Sequence, residues 1–187
     1  MKIIVIGGTR SGKSFMAEEL SKILNGKKSD ILYLATMQPF CIEDKERINS
    51  HIERRKECNF KTLEVFSDIS SIKNKIKLSD TILLDSVTTL LNNEMFKDKV
   101  IEKNFSKRIS KEILEISRLC KNIIIVSDYI FSDSIIYDDL VVNYSRELAY
   151  INRGIVKDFD IVIECINNNY IIHKGKAEGE NLINEIY

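Results

Sequence analysis

The sequence predicts a three-layer α/β fold in which a mainly parallel sheet is covered by helices on both faces. Short apolar runs alternate along the chain with longer amphipathic segments. These runs are continuously apolar rather than alternating with polar residues, which is typical of strands buried on both faces. Ligands of such folds bind beyond the carboxyl ends of the strands. We therefore expect the functional residues where the predicted strands end.

The apolar runs place the strands. We expect them over residues 3–6, 31–35, 63–65, 81–85 and 122–126. Two further strands, 160–165 and 170–173, flank a run of three asparagines, and this pattern predicts a closing hairpin.

Apolar residues at helical spacing place four helices between these strands. The first covers residues 14–25 and is followed by Gly26, a residue that commonly ends helices. The others are expected over residues 43–57, 100–120 and 139–155. The helix over 43–57 differs from the rest because it is highly charged.

The composition excludes several classes of protein. Lys+Arg and Asp+Glu number 28 each, so the net charge of zero excludes a globally basic nucleic-acid-binding surface. A hydrophobic content of 44% excludes intrinsic disorder. The amino-terminal apolar run is too short for a signal peptide or a membrane span, and we expect a cytoplasmic protein with reduced thiols. The four cysteines form no Cys-x-x-Cys pair, which favours small core residues over a zinc site.

A phosphate-binding loop directly follows the first predicted strand. Gly7-Gly8-Thr9-Arg10-Ser11-Gly12-Lys13-Ser14 matches G-x-x-x-x-G-K-[ST] and opens the first predicted helix, which is the context that this motif requires. Backbone amides and the helix N-terminus would hold a phosphate there. We expect Lys13 to reach the β- and γ-phosphates of a nucleotide and Ser14 to coordinate Mg²⁺. Residues 1–187 are therefore interpreted as one P-loop nucleotide-binding catalytic domain.

A carboxylate stands at the end of the strand predicted over 81–85. Asp85 occupies the position where P-loop proteins hold a second magnesium-associated carboxylate, often through water. The alternative is a strand-end aspartate that caps the following turn.

One of the two histidines lies in the charged helix. On that helix Arg47, Arg54 and Arg55 lie within four residues of His51 and project towards the same side. Three guanidinium groups would attract a polyphosphate and favour a neutral imidazole, which is a nucleophile able to attack phosphorus. The alternative is a solvated charged helix with an incidental histidine. We expect His173 to be structural, because no acidic or thiol residue lies at a useful spacing from it in the sequence.

Several motifs follow one another in a recognisable order. After the phosphate loop come Leu32-Tyr33-Leu34-Ala35-Thr36, Arg47-Ile48-x-x-His51-x-x-Arg54-Arg55, Phe60-x-Thr62-x-Glu64 and Leu83-Leu84-Asp85-Ser86-Val87-Thr88-Thr89. This series resembles the bifunctional adenosylcobinamide kinase / adenosylcobinamide-phosphate guanylyltransferase family of cobalamin biosynthesis. The resemblance covers nearly the whole chain and is most specific over residues 1–90.

The resemblance implies a RecA-like P-loop fold assembled as a homotrimer. It implies phosphorylation of the aminopropanol hydroxyl of adenosylcobinamide with ATP or GTP, and then GMP transfer from GTP to that phosphate. The family's guanylylated histidine falls on His51. The implied nucleotide contacts are Gly7, Gly8, Thr9, Arg10, Ser11, Gly12, Lys13, Ser14, Leu34, Ala35, Thr36, Ile52, Glu53, Arg54, Arg55, Glu64 and Asp85.

Glu64 has a chemistry suited to guanine. A carboxylate accepts hydrogen bonds from guanine N1–H and N2–H₂ together, which adenine cannot reproduce, so this residue favours GTP. The alternative is a surface glutamate of an exposed strand.

The sequence departs from the family pattern at several positions. Asp85 stands where the family commonly has glutamate, Phe60 where it has tryptophan, and Ser127-Asp128 where it tends to have Asn-Glu. These differences leave two alternatives open: an enzyme with guanylyl transfer alone, or a non-catalytic P-loop module whose nucleotide state gates a partner.

Overall fold

The computed structural model describes residues 1–26, 30–39, 42, 46, 49, 52–53, 55, 59–96, 104–132 and 135–187. Within these ranges the strands are β1 (Lys2–Gly7), β2 (Ile31–Ala35), β3 (Phe60–Glu64), β4 (Thr81–Asp85), β5 (Asn122–Asp128), β6 (Ile161–Ile166) and β7 (Asn169–Lys174). The helices are α1 (Lys13–Asn25), α2 (Val87–Phe96), α3 (Phe105–Leu119), α4 (Asp139–Val156) and α5 (Lys176–Asn184), and a 3₁₀ helix covers Ile69–Lys75. None of these described helices is long and apolar enough to cross a membrane.

The strands form one sheet with the order β3-β2-β4-β5-β1-β6-β7. Every pairing is parallel except that of β6 with β7, which is an antiparallel hairpin. The predicted α/β fold, with a mainly parallel sheet flanked by helices and a carboxyl-terminal hairpin, is therefore confirmed. Because β4, β5 and β1 are neighbours and parallel, their carboxyl ends meet at one edge of the sheet.

The interior strands send alternate side chains into two separate cores. Ile4, Leu84 and Ile125 belong to one core, which α2, α3 and α4 cover. Val5 and Leu83 belong to the other core, which α1 and α5 cover. A strand that is buried on both faces needs apolar residues at every position, which explains the continuous runs in the sequence.

The structure differs from the predicted helices in several places. The helix expected over 100–120 begins at Phe105, because Asn104 takes a left-handed backbone conformation (φ 84°) that asparagine tolerates; residues 100–103 lie outside the described ranges. The helices α2 and α5 and the 3₁₀ helix were not predicted. Of the helix expected over 43–57, the structure describes five residues, all helical: Glu46, Asn49, Ile52, Glu53 and Arg55.

Two of the four cysteines lie in the described ranges. Cys165 is buried and Cys120 is partly buried against the core. Burial raises the pKa of each thiol to about 11, which keeps both protonated near neutral pH. They pack as small apolar residues, as expected; Cys41 and Cys58 lie outside the described ranges.

The double-sided core makes a clear prediction for stability. Leu84 is completely buried, whereas Leu78 is 78% exposed, so the same substitution can be compared at both sites. We expect Leu84→Ala to lower the free energy of unfolding by about 2–5 kcal/mol, because it removes buried apolar contacts and leaves a cavity. Leu78→Ala should stay within about 0.5 kcal/mol of the unaltered protein. Urea denaturation measures both, and equal effects would contradict the assignment of Leu84 to the core.

Candidate active site

The phosphate loop connects β1 to α1 and is braced by the β6–β7 hairpin. Gly12 has a left-handed backbone (φ 92°), and a Cβ at this position would lie 2.8 Å from Asn168 Oδ1. The Asn168 N–H donates to the Ser11 carbonyl at 3.2 Å, and the Ser11 N–H donates to the Gly8 carbonyl at 3.3 Å. The motif's second glycine is thus required both by the backbone conformation and by the close approach of the hairpin.

Lys13 is held back over this loop by two contacts. Its Nζ donates to the Gly8 carbonyl at 3.1 Å and lies 2.7 Å from Asp128 Oδ1. The side chain of Lys13 is only 7% exposed and that of Asp128 is 25% exposed. A buried ammonium needs such a partner, because an unpaired charge is costly to remove from water. The Asp128 carboxylate balances the positive charge of Lys13 at the place where a phosphate would bind.

Sequence reasoning assigned no role to Asp128. The predicted strand stopped at Val126, whereas β5 continues to Asp128. The available signal was the same one that singled out Asp85: a carboxylate at the end of a buried apolar strand.

Asp85 ends β4 and receives a hydrogen bond from a buried tyrosine. The Tyr33 hydroxyl donates to Asp85 Oδ2 at 3.2 Å. Burial, together with the neighbouring Asp85 carboxylate, raises the pKa of Tyr33 well above its usual range. The phenol therefore stays protonated and acts as a donor that orients Asp85. In the turn that follows, the Ser86 N–H donates to Thr36 Oγ1 at 2.8 Å.

Arg55, a residue of the charged helix, contacts the tyrosine that donates to Asp85. Its guanidinium carbon lies 3.4 Å from the centre of the Tyr33 ring, and the side chain is buried. Stacking on an aromatic face is a favourable position for a guanidinium group that has lost contact with water. Of the predicted cluster around His51, only Arg55 is described; Arg47, His51 and Arg54 lie outside the described residues.

A cavity of about 290 Å³ opens at the carboxyl edge of the sheet. It brings together seven predicted site residues: Lys13, Ser14, Ala35, Ile52, Arg55, Glu64 and Asp85. It is also lined by residues for which the sequence predicted no role: Tyr33, Met37, Pro39, Asn49, Thr62, Ser86, Thr89 and Asp128. The cavity thus runs from the phosphate loop, across the ends of β4 and β2, to the edge strand β3 and the charged helix.

Several predicted contacts do not line this cavity. Leu34 is fully buried in the core, and Thr36 is fully buried, with its hydroxyl bonded to the Ser86 carbonyl at 2.8 Å. Glu53, Thr9 and Arg10 are exposed. The nucleotide contacts implied for these residues stay predictions, as do those implied for the residues that line the cavity.

His173 has an acidic neighbour that its sequence position does not reveal. Its Nε2 lies 2.7 Å from Glu164 Oε2 on the adjacent strand. The contact arises because β6 and β7 pair as an antiparallel hairpin, which brings together residues nine positions apart. The structural role expected for His173 stays a prediction. His173 does not line the cavity.

The oxygen donors in the cavity fit a magnesium ion. Ser14, with its hydroxyl, and Asp85, with its carboxylate, both line it. Mg²⁺ prefers such hard oxygen ligands and is commonly bound by one or two carboxylates together with nucleotide phosphates.

Comparison with known proteins gives a family-level match. The family model for cobinamide kinase / cobinamide phosphate guanyltransferase (CobU) matches residues 3–168. No curated protein matches the chain.

Several solved structures are similar to this chain. The P4 protein from bacteriophage phi6 in complex with ADP is 13% identical, with a TM-score of 0.46 over 90% of this chain and 52% of that chain. The KaiC-like protein PH0186 from Pyrococcus horikoshii OT3 is 13% identical, with a TM-score of 0.47 over 92% of this chain and 78% of that chain. The flagellar accessory protein FlaH from Methanocaldococcus jannaschii is 16% identical, with a TM-score of 0.44 over 92% of this chain and 77% of that chain. The chain spans about half the length of the P4 chain.

The hydrogen bond between Tyr33 and Asp85 makes a testable contribution to stability. We expect Tyr33→Phe to lower the free energy of unfolding by about 1.5–3 kcal/mol, because it removes the donor to a partly buried carboxylate. Tyr187 is 74% exposed and provides the matched control, for which Tyr187→Phe should have little effect. Chemical denaturation compares the two variants. A Tyr33→Phe protein as stable as the control would show that this hydroxyl does not hold Asp85.

Proposed function

Because the chain belongs to the cobinamide kinase / cobinamide phosphate guanyltransferase family, we propose that it phosphorylates adenosylcobinamide and then transfers GMP from GTP to that phosphate through a guanylyl-histidine at His51. Membership places the chain among kinases and nucleotidyltransferases of cobalamin biosynthesis. One observation carries the finer proposal. Asn49 and Ile52, which flank His51 in the sequence, line the same cavity as Lys13 and Ser14 of the phosphate loop.

Binding of the triphosphate falls to the loop and to Lys13. The backbone amides of the loop and the N-terminus of α1 supply donors for phosphate oxygens. Lys13, now paired with Asp128, would exchange this partner for the phosphates of a nucleotide. Ser14 and Asp85 would hold Mg²⁺, which neutralises charge on the phosphates when it is bound.

Guanylyl transfer requires a nucleophile beside the α-phosphate of GTP. In the proposed step a neutral His51 nitrogen attacks the α-phosphorus, a nitrogen–phosphorus bond forms, and pyrophosphate leaves. The phosphate of the cobinamide substrate then attacks the same phosphorus and releases the histidine. Arg55 supports this proposal, because stacking on Tyr33 fixes a positive charge four residues from His51 at the cavity wall.

Recognition of the base is assigned to Glu64. This carboxylate ends the edge strand β3 and lines the cavity together with Thr62 on the same strand. Its exposed position suits a side chain that takes a ligand rather than one that stabilises the core. We further propose that the enzyme works in the cytoplasm, and that it assembles as a homotrimer, as the resemblance to the family implies.

The histidine intermediate can be trapped directly. With GTP labelled at the α-phosphate, the protein should retain an acid-labile, base-stable label, since phosphoramidates hydrolyse in acid. The His51→Ala variant should retain none, while the His173→Ala control should be labelled like the unaltered protein. Labelling that survives in His51→Ala would exclude this histidine as the nucleophile, and tight nucleotide binding without any label would favour the non-catalytic module.

The base preference tests Glu64. Glu64→Gln replaces an acceptor-only carboxylate by an amide, so one of the two guanine donors loses its partner. We expect the ratio of kcat/KM for GTP to that for ATP to fall about tenfold or more. Glu185→Gln, an exposed substitution away from the cavity, should leave the ratio unaltered. Steady-state kinetics with both nucleotides decides the matter, and an unaltered ratio in Glu64→Gln would assign guanine recognition elsewhere.

A further inference from the structure

A second carboxylate stands directly beside the phosphate loop. Asp128 ends β5 and is the register partner of Gly7, the first residue of the loop motif. Its Oδ1 lies 2.7 Å from Lys13 Nζ. Since Lys13 is the residue that contacts the β- and γ-phosphates in this motif, Asp128 lies next to the expected position of the γ-phosphate.

The backbone around Asp128 is fixed on both sides. The Asp128 N–H donates to Thr88 Oγ1 at 2.8 Å, and the N–H of the next residue, Tyr129, donates to the Gly7 carbonyl at 2.9 Å. The carboxylate is nevertheless partly exposed and lines the cavity. Its backbone is therefore held in place while its carboxylate can reach a ligand, and a catalytic group requires both.

Asp85 is less suited to a reaction at the γ-phosphate. Strand β5 separates its strand from that of the phosphate loop, and its carboxylate already accepts the Tyr33 hydroxyl. The two carboxylates thus have different surroundings: Asp85 accepts a hydrogen bond from Tyr33, and Asp128 is paired with Lys13 of the phosphate loop.

We propose that Asp128 is the general base of the phosphorylation step, an inference that rests on the proposed function. The hydroxyl oxygen of cobinamide forms a bond to the γ-phosphorus, and the hydroxyl proton passes to the Asp128 carboxylate. The bond between the γ-phosphorus and the oxygen that bridges it to the β-phosphorus breaks, and the nucleoside diphosphate leaves with that electron pair. Lys13 turns from Asp128 to the phosphates, which releases the carboxylate for the proton.

A general base at Asp128 is needed for one of the two chemical steps and not for the other. An alcohol must lose a proton to become a phosphate ester, so the kinase step gains from a base. The acceptor of GMP is a phosphate, which is already largely ionised at neutral pH and has no proton that must be removed. Loss of the base therefore impairs phosphorylation far more than GMP transfer.

The test measures the two steps separately in one set of proteins. Phosphorylation is followed with adenosylcobinamide and ATP or GTP, and GMP transfer with supplied adenosylcobinamide phosphate and GTP. We expect Asp128→Asn to lower kcat for phosphorylation about 100-fold or more and to lower GMP transfer less than about tenfold. Asp128→Glu keeps a carboxylate and should recover most of the phosphorylation lost in Asp128→Asn. Asp139→Asn, which removes an exposed carboxylate away from the cavity, controls for loss of one negative charge.

GMP transfer by the same preparation shows that each variant is folded and binds nucleotide. Equal losses in both steps would overturn the inference, because they would show that Asp128 acts only by holding Lys13. Phosphorylation within about threefold of normal in Asp128→Asn would overturn it as well. If the unaltered protein is labelled at His51 but phosphorylates no adenosylcobinamide, the proposed kinase activity is wrong. The role of Asp128 as its general base is then wrong as well, while guanylyl transfer through His51 still stands.

Discussion

Parallel pairing of β4, β5 and β1 is the constraint on which the rest of the structure depends. Parallel strands place all their carboxyl ends on one edge, so Asp85, Asp128 and the phosphate loop meet there although they are far apart in sequence. The same pairing requires cover on both faces, which the two cores supply. The apolar interior and the polar edge are therefore two consequences of one arrangement.

The polar edge is stabilised by contacts among the charged and polar groups that the structure describes there. Lys13 forms an ion pair with Asp128, and Asp85 accepts a hydrogen bond from the Tyr33 hydroxyl. The guanidinium group of Arg55 stacks on the Tyr33 ring. Charges and hydroxyls in such a position are costly unless paired. Under the proposed function, a nucleotide that enters the cavity would replace some of these partners, so the groups that stabilise the protein without a ligand would also bind the nucleotide.

The shared cavity relates the two proposed steps to each other. The cavity is lined by Lys13 and Ser14 of the phosphate loop with Asp128, and also by Arg55 of the charged helix and Glu64 of the edge strand. Phosphoryl transfer concerns the far end of a triphosphate, whereas guanylyl transfer concerns the phosphate next to the nucleoside. Under the proposed function, a single cavity lined by both sets of residues would give each reaction its own part of the nucleotide.

The sequence alone determined what depends on neighbours along the chain: the phosphate loop, the strands as apolar runs, the helix α1 with its terminal glycine, and the carboxylate at Asp85. These features arise from local conformation and from periodicity, which a sequence carries directly. Only the tertiary structure decided the roles open to Asp128 and Tyr33 and the pairing of His173 with Glu164. The contacts of Asp128 and Tyr33 join elements whose neighbourhood depends on the strand order of the whole sheet, whereas the contact of His173 with Glu164 depends on the detailed pairing within the hairpin.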